Sequence, residues 1–236
     1  MTNLNAILVS MLRRFLSNRG YTMARTQISG VEPQQLWMFD HSFLKIWEEI
    51  SQNTMLDIVR AYMLYQLLRD VCNLQGAVAE VGVWRGGTGQ LMATVLPHKE
   101  IYLFDTFEGL PEISPDFDGA YHSKGQFNDT SYEHVSRLFH QQESVKVIKG
   151  VFPSTINDDP LNFCFVHVDV DLYQSAKDCC EYFYQRLVPG GVMIFDDYGF
   201  GTCPGVRQAV DEFFKHRHGH FYMPTGQYVV VKTLNS

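Results

Sequence analysis

The sequence lacks the features that would assign the chain to several common classes of protein. Lysine and arginine together number 19 against 26 aspartates and glutamates, and the resulting net charge of −7 argues against a nucleic acid as the main partner. The five cysteines show no CxxC spacing and no paired framework, so we expect a reducing, cytoplasmic compartment. The sequence also contains no P-loop, no internal repeat and no low-complexity tract.

No hydrophobic run in the sequence has the length of a transmembrane helix. The first apolar stretch, Leu4 to Leu16, is interrupted by Arg13 and Arg14 and lacks a small-residue cleavage site. We therefore predict neither a transmembrane helix nor a signal peptide there. An amphipathic helix is expected instead, packed on the domain or in a dimer contact, with peripheral membrane contact as the alternative. Residues 1–52 are interpreted as an N-terminal helical segment that favours self-association into a homo-oligomer.

The sequence does contain the pattern of one folded domain over residues 53–236. Hydrophobic residues make up 45% of the chain and charged residues 19%, which are ordinary values for a globular protein. From Trp37 to Leu74, apolar residues recur at helical spacing, as at Leu56, Val59 and Met63, and predict helices that lead into a sheet.

Strands and helices are then predicted to alternate along the chain. The predicted strands are 77–81, 101–105, 145–148, 163–169 and 192–196, and the predicted helices are 89–95, 131–141, 175–186 and 205–216. This order implies an α/β fold with a doubly wound, mostly parallel, Rossmann-like sheet. A terminal hairpin of residues 221–223 and 227–232 is expected to add an antiparallel strand. The polar segment 108–129 has the length of a lid or binding loop, in which Tyr121 and His122 could contact a substrate.

A glycine-rich turn, EVGVWRGGTG at residues 80–89, follows the first predicted strand. Glycines let the backbone approach a ligand closely, and the N-terminus of the next helix attracts an anion such as the carboxylate of an amino-acid-like cofactor. The spacing is not GxGxxG, so the support for a dinucleotide site is weak. Asp105 ends the second strand about 20 residues further on, where an acidic residue accepts hydrogen bonds from ribose hydroxyls.

Two buried-type strands end abruptly in carboxylates. Asp169 and Asp171 follow one apolar run, and Asp196 and Asp197 follow another. Ligands of open parallel sheets bind beyond the carboxyl ends of the strands, so these four side chains are expected to meet in one cleft. Like charges so close to one another are unfavourable unless a positive group lies between them. A hard divalent cation, bound by oxygen ligands, is the simplest such group. Asp169, Asp171 and His167 would share one face of the strand if it continued straight.

Several motifs together resemble the macrocin O-methyltransferase (TylF) family of S-adenosylmethionine-dependent enzymes, which methylate sugar hydroxyls. The motifs are EVGVWRGG (80–87), FDTFEG (104–109), DVDLY (169–173), and PGG (189–191) with DDY (196–198). The spacing of the glycine turn is also similar to that of the magnesium-dependent catechol O-methyltransferases. The resemblance runs from about Thr54 to the terminal hairpin and implies the class I methyltransferase fold.

The resemblance also implies roles for individual residues. The methionine part of S-adenosyl-L-methionine would be surrounded by Glu80, Gly82, Arg85, Gly86 and Thr88. The rest of the cofactor would contact Asp105 and Phe107 at the ribose, Gly150, Val151 and Phe152 at the adenine, and Thr54 and Met55 on the leading helix. The Mg²⁺ ligands of the family match Asp169, Asp196 and Asp197, and its proposed general base matches Asp171.

These residues suggest how a sugar hydroxyl would be methylated. Mg²⁺ could bind neighbouring hydroxyls and lower their pKa, and Asp171 could accept the proton. The expected function is metal-dependent O-methylation of a small molecule, most simply a sugar of a glycosylated natural product. The alternatives are methylation of a cell-surface glycan or its lipid-linked precursor, an NAD-dependent oxidoreductase, and a non-catalytic protein that binds the cofactor. The aspartates could otherwise cap helices, and His167 could be a satisfied core residue.

Overall fold

The computed structural model describes residues 35–156 and 161–234. The chain divides into two units, residues 1–39 and residues 40–236. The described part of the first unit contains a 3₁₀ helix, Leu36–Phe39. The helix predicted between Leu4 and Leu16 lies outside the described residues. Within the described residues, no helix combines the length and the hydropathy needed to cross a membrane.

The second unit alternates helices and strands. Its helices are α1 (His41–Ile50), α2 (Ile58–Asp70), α3 (Gly87–Val95), α4 (Pro115–Asp118), α5 (Tyr132–Leu138), α6 (Tyr173–Arg186) and α7 (Pro204–Phe214). Its strands are β1 (Ala77–Val81), β2 (Ile101–Asp105), β3 (Val145–Lys149), β4 (Phe163–Val168), β5 (Leu187–Phe195), β6 (His220–Tyr222) and β7 (Tyr228–Val231).

The strands form one sheet in the order β3-β2-β1-β4-β5-β7-β6. The pairs among β1 to β5 are parallel, whereas β7 pairs antiparallel with both β5 and β6. The predicted doubly wound sheet with an antiparallel terminal hairpin is therefore confirmed. The chain order reverses between β1 and β4, and ligands of such sheets bind at the carboxyl ends of the strands at this point.

The predicted strand limits agree with the structure at β1 and β2 and differ at β5. The turn expected at Pro189 to Gly191 lies inside β5, because Leu187 already pairs with Phe163 of β4. The register then shifts, and regular pairing resumes at Val192. The last part of β5 is fully buried, and its carboxyl end pairs with that of β4.

Helix α2 begins at an N-cap aspartate and places its first turn near the carboxyl ends of the strands. The Asp57 side chain accepts hydrogen bonds from the backbone N–H groups of Val59 and Arg60. The buried face of the helix is formed by Ala61, Leu64, Tyr65 and Leu68, at helical spacing. Val59, expected on the apolar face, is instead 43% exposed.

Candidate active site

A cleft lies beyond the carboxyl ends of β1, β2 and β4. The predicted site residues that line this cleft are Met55, Gly82, Asp105, Gly150, Val151, Phe152, Asp169 and Asp171. Its other walls come from Trp84, Phe104, Thr106 and Ser175, and from Gly109, Leu110, Pro111 and Phe127 of the long loop. The sheet topology therefore brings five separate parts of the sequence together in one cleft.

The glycine turn after β1 depends on one close backbone approach. Gly82 has φ of +89°, and a Cβ added there would lie 1.7 Å from the backbone oxygen of Asp169. Only glycine combines that conformation with that proximity. The turn therefore fixes the distance between the β1 end of the cleft and the carboxylates that follow β4.

The Asp105 carboxylate organises the same turn. Its Oδ2 accepts hydrogen bonds from the backbone N–H groups of Val83 (2.7 Å) and Trp84 (2.9 Å). Its Oδ1 accepts a third, from the N–H of Phe107 at 2.6 Å. A role in shaping the turn is thus visible in the structure, in addition to the ribose contact that the resemblance implies.

Several predicted cofactor residues do not line the cleft. Arg85 donates to the side chain of Asp129 at 2.7 Å and to its backbone oxygen at 2.9 Å. Thr88 is buried in α3, and Phe107 is buried with its ring edge-on to Tyr132.

The other predicted cofactor residues that do not line the cleft also make contacts within the protein. Thr54 accepts a hydrogen bond from the N–H of Leu56 at 3.1 Å. A Cβ at Gly86 would contact Leu138 and Val135, so this glycine permits the close packing of α5. Glu80 is fully buried, as described below with His167.

Three of the four aspartates converge. One carboxylate oxygen from each of Asp169, Asp196 and Asp197 lies within 4.8 Å of the others. Asp171 departs from the straight-strand expectation, because β4 ends at Val168 and the backbone at Asp171 is left-handed, with φ of +60°. Its carboxylate instead lies within 4.8 Å of His122 and Cys203, while its N–H donates to Asp197 Oδ2 at 3.1 Å.

His167 and Glu80 form a buried pair behind the aspartates. His167 Nδ1 is 2.8 Å from Glu80 Oε1, its Nε2 is 3.8 Å from Asp196 Oδ1, and the side chains of all three residues are fully buried. Burial opposes the charged ring, but the carboxylates of Asp196 and Glu80 outweigh it and raise the pKa of His167 to about 10. The His167 ring therefore lies behind the aspartates, where its positive charge offsets the negative charge of the neighbouring carboxylates, and it does not line the cleft.

No sequence pattern predicted Arg60, the second cation of the site. Its guanidinium on α2 forms a salt bridge with Asp196 Oδ2 and donates to Asp57 and to the backbone oxygen of Met55. The Phe200 ring lies 5.0 Å from the guanidinium carbon. A single arginine after a helix cap carries no signal of a partner 136 positions away, so only the fold reveals it.

The charge of this cluster suits a divalent cation. Burial raises the pKa of Asp169 and Asp197 well above the usual range, and the neighbouring carboxylates add to the effect. Burial alone would raise the pKa of Asp196 as well. His167, Arg60 and the 2.8 Å hydrogen bond from Gln227 Nε2 outweigh burial, so the pKa of Asp196 is lowered. Two cationic side chains thus face a larger number of carboxylates. An oxygen-only donor set whose anionic forms are disfavoured without a balancing cation fits Mg²⁺, although Arg60 and Gln227 each already bond one Asp196 oxygen.

The long loop packs against the same end of the sheet. Asp118 on α4 is buried, accepts from the N–H of Ser114 at 2.9 Å, and accepts from the N–H of Tyr173 at 2.7 Å. These bonds attach the loop to the N-terminus of α6. The loop thereby places His122 and Phe127 beside the cleft.

Comparisons with known proteins point to one enzyme family. The family model of the macrocin-O-methyltransferases (TylF) matches residues 47–222. Demethyldecarbamoylnovobiocin O-methyltransferase of Streptomyces niveus is 32% identical over 180 residues, which cover 69% of this chain and 68% of that protein. Mycinamicin III 3''-O-methyltransferase of Micromonospora griseorubida is 33% identical over 169 residues, which cover 64% of each chain. The solved structure of the O-methyltransferase NovP superposes with a TM-score of 0.69 at 29% identity, covering 77% of this chain and 82% of that one.

The family match spans the glycine turn, the cleft and both acidic clusters. It favours methyl transfer over the hydride transfer of an NAD-dependent oxidoreductase. The chain belongs to the macrocin O-methyltransferase (TylF) family, whose members are S-adenosylmethionine-dependent O-methyltransferases.

Proposed function

We propose that this protein methylates a hydroxyl group on the sugar of a small glycosylated molecule, with Mg²⁺ held by Asp169, Asp196 and Asp197. The observation that carries the proposal is the convergence of these three carboxylates, of which Asp169 lines the cleft. The relatives of similar sequence are named for methylation of antibiotic precursors, which supports an acceptor of this class.

The cofactor would lie in the cleft between the glycine turn and the loop after β3. S-adenosylmethionine supplies an electrophilic methyl group on its sulfonium. We assign its binding to the predicted residues that line the cleft, namely Met55, Gly82, Asp105, Gly150, Val151 and Phe152. The Val83 and Trp84 amides bonded to Asp105 hold the turn in place before the cofactor arrives, so little rearrangement accompanies binding.

The carboxylates would prepare the acceptor hydroxyl. A bound Mg²⁺ supplies Lewis acidity that lowers the pKa of a coordinated hydroxyl. Asp171 lines the cleft next to this cluster and would accept the proton that the hydroxyl loses. Burial raises the pKa of Asp171, which makes it a better proton acceptor than an exposed aspartate. His167 and Arg60 hold Asp196 from two sides and so keep the cluster in position.

The proposal is tested with S-adenosylmethionine carrying a labelled methyl group. The acceptors would be a panel of glycosylated natural products with a free sugar hydroxyl, including demethyldecarbamoylnovobiocin and mycinamicin III, and the matching aglycones. We expect label transfer to at least one glycoside, none to its aglycone, and loss of transfer in EDTA that Mg²⁺ restores. Transfer at full rate in EDTA would contradict the metal, and transfer to aglycones alone would contradict the sugar acceptor.

A further inference from the structure

A second cluster of possible ligand atoms lies beside the aspartates and has a different chemistry. It combines the His122 imidazole from the long loop, the Asp171 carboxylate from the turn after β4, and the Cys203 thiol that precedes α7. Cys203 Sγ is 3.5 Å from His122 Nε2 and 3.5 Å from Asp171 Oδ1, and all three atoms lie within 4.8 Å of one another. Three segments far apart in sequence thus direct a nitrogen, an oxygen and a sulfur to one point.

Two of the three separations in this cluster, those from Cys203 Sγ, are close to the values of a tetrahedral metal site. With metal–sulfur bonds of about 2.3 Å and metal–nitrogen or metal–oxygen bonds of about 2.1 Å, tetrahedral angles separate the ligand atoms by about 3.6 Å. The observed separations from Cys203 Sγ match this value. Three protein ligands leave a fourth position open to water, as in zinc sites of the open type.

The same residues are not arranged as a cysteine nucleophile with its base. Such a triad needs a group that orients the histidine, but His122 Nδ1 is buried without a hydrogen-bond partner among the described residues. Asp171 contacts the thiol instead. Burial and the carboxylates of Asp197 and Asp171 raise the pKa of Cys203, so the thiolate is disfavoured until a cation binds.

We propose that His122, Asp171 and Cys203 form a binding site for a Zn²⁺-type ion, distinct from the oxygen-only cluster of Asp169, Asp196 and Asp197. Thiolate and imidazole ligands favour Zn²⁺ or Co²⁺ over Mg²⁺, whereas carboxylates alone favour Mg²⁺. On binding, the sulfur–metal bond forms and the thiol proton passes to the buffer. If Asp171 is the proton acceptor of the proposed reaction, occupancy of this site also inhibits methyl transfer.

Cobalt spectroscopy tests the site without any assay of activity. Co²⁺ is titrated into metal-free protein in the presence of excess Mg²⁺, and a cobalt–thiolate charge-transfer band with intense visible bands of tetrahedral Co²⁺ is expected at one equivalent. Zn²⁺ should abolish the bands. Cys203→Ser, which is nearly isosteric, should remove the charge-transfer band and weaken Co²⁺ binding more than about 100-fold, and His122→Gln should weaken it as well.

Two further variants serve as controls for this experiment. Cys72→Ser removes an exposed free thiol and should leave the bands and methyl transfer unchanged. Asp196→Asn alters the oxygen-only cluster and should keep the bands. No thiolate band in the wild type, or a band that survives Cys203→Ser, overturns the inference. Methyl transfer is measured with Mg²⁺ before Co²⁺ is added. Transfer at that stage with no band afterwards would overturn this site alone, and no transfer at that stage in a protein that later shows the band would overturn the proposed function alone.

Discussion

The acidic side chains in the two halves of the cleft have different kinds of neighbours. On the β1–β2 side, Gly82 and the Asp105 carboxylate build a turn in which backbone N–H groups satisfy the acidic side chain. On the β4–β5 side, the acidic side chains crowd together, and burial with their neighbours raises the pKa of Asp169 and Asp197. The first half is therefore complete as folded, whereas under our proposal a cation completes the second.

The largest expected effect comes from removing a charge on the β4–β5 side. Asp169→Asn should lower methyl transfer by about 10³-fold or more, which corresponds to about 4 kcal/mol, because the acceptor hydroxyl loses its activation. The affinity for S-adenosylmethionine, measured by calorimetry, should change less than about threefold. Asp116→Asn, on the exposed surface of α4, is the matched control. An equal loss of cofactor affinity and turnover would remove the distinction between the two halves.

A change on the β1–β2 side should act through the backbone. Gly82→Ala places a Cβ against the Asp169 backbone oxygen at a positive φ, so we expect the free energy of unfolding to fall by about 3 kcal/mol or more, together with cofactor affinity. Gly201→Ala has open space around its Cβ and should be neutral. Urea denaturation compares the two, and similar stability of both variants would contradict the close approach.

The pH dependence of stability should report the buried His167 cation. Its pKa is raised from the ordinary 6.5 to about 10, so its contribution to stability is full below pH 6.5 and is lost as the pH rises towards 10. In EDTA, the difference in the free energy of unfolding between wild type and His167→Gln should therefore shrink across this range. A difference that stays constant or grows with pH would mean that the folded protein holds His167 neutral.

The smallest effect is expected at Arg85, which lies beside the glycine turn but bonds to Asp129. Exposed ion pairs contribute little to stability. Because the Arg85 side chain bonds to Asp129 and does not line the cleft, Arg85→Ala should change the affinity for S-adenosylmethionine less than about twofold, as measured by calorimetry. A loss of tenfold or more would show that the side chain turns into the cleft when the cofactor binds.

Sequence patterns predicted the parts of the site that depend on regular structure. Apolar runs predicted the end of β2 at Asp105 and the ends of β4 and β5 to within one residue, because burial of parallel strands leaves a clear signature. The sheet topology then follows from the alternation of strands and helices. The predicted self-association of the N-terminal segment rests on Leu4 to Leu16, outside the described residues.

The remaining features depend on side chains that meet only in the folded protein. Arg60 and Gln227 reach Asp196 from distant elements, and neither lies in a motif. The left-handed backbone at Asp171 sends its carboxylate towards His122 and Cys203, which a straight extrapolation of β4 could not foresee. Local periodicity carries no information about such contacts.

The central claim is that the aspartates of β4 and β5 hold a divalent cation beside the methyl donor. Crystals grown with S-adenosylhomocysteine and Mn²⁺, measured at the manganese absorption edge, test it directly. Under this proposal, an anomalous peak is expected within bonding distance of oxygens of Asp169, Asp196 and Asp197, next to the cofactor sulfur. A cluster without that peak, with Arg60 still bridging to Asp196, would contradict it.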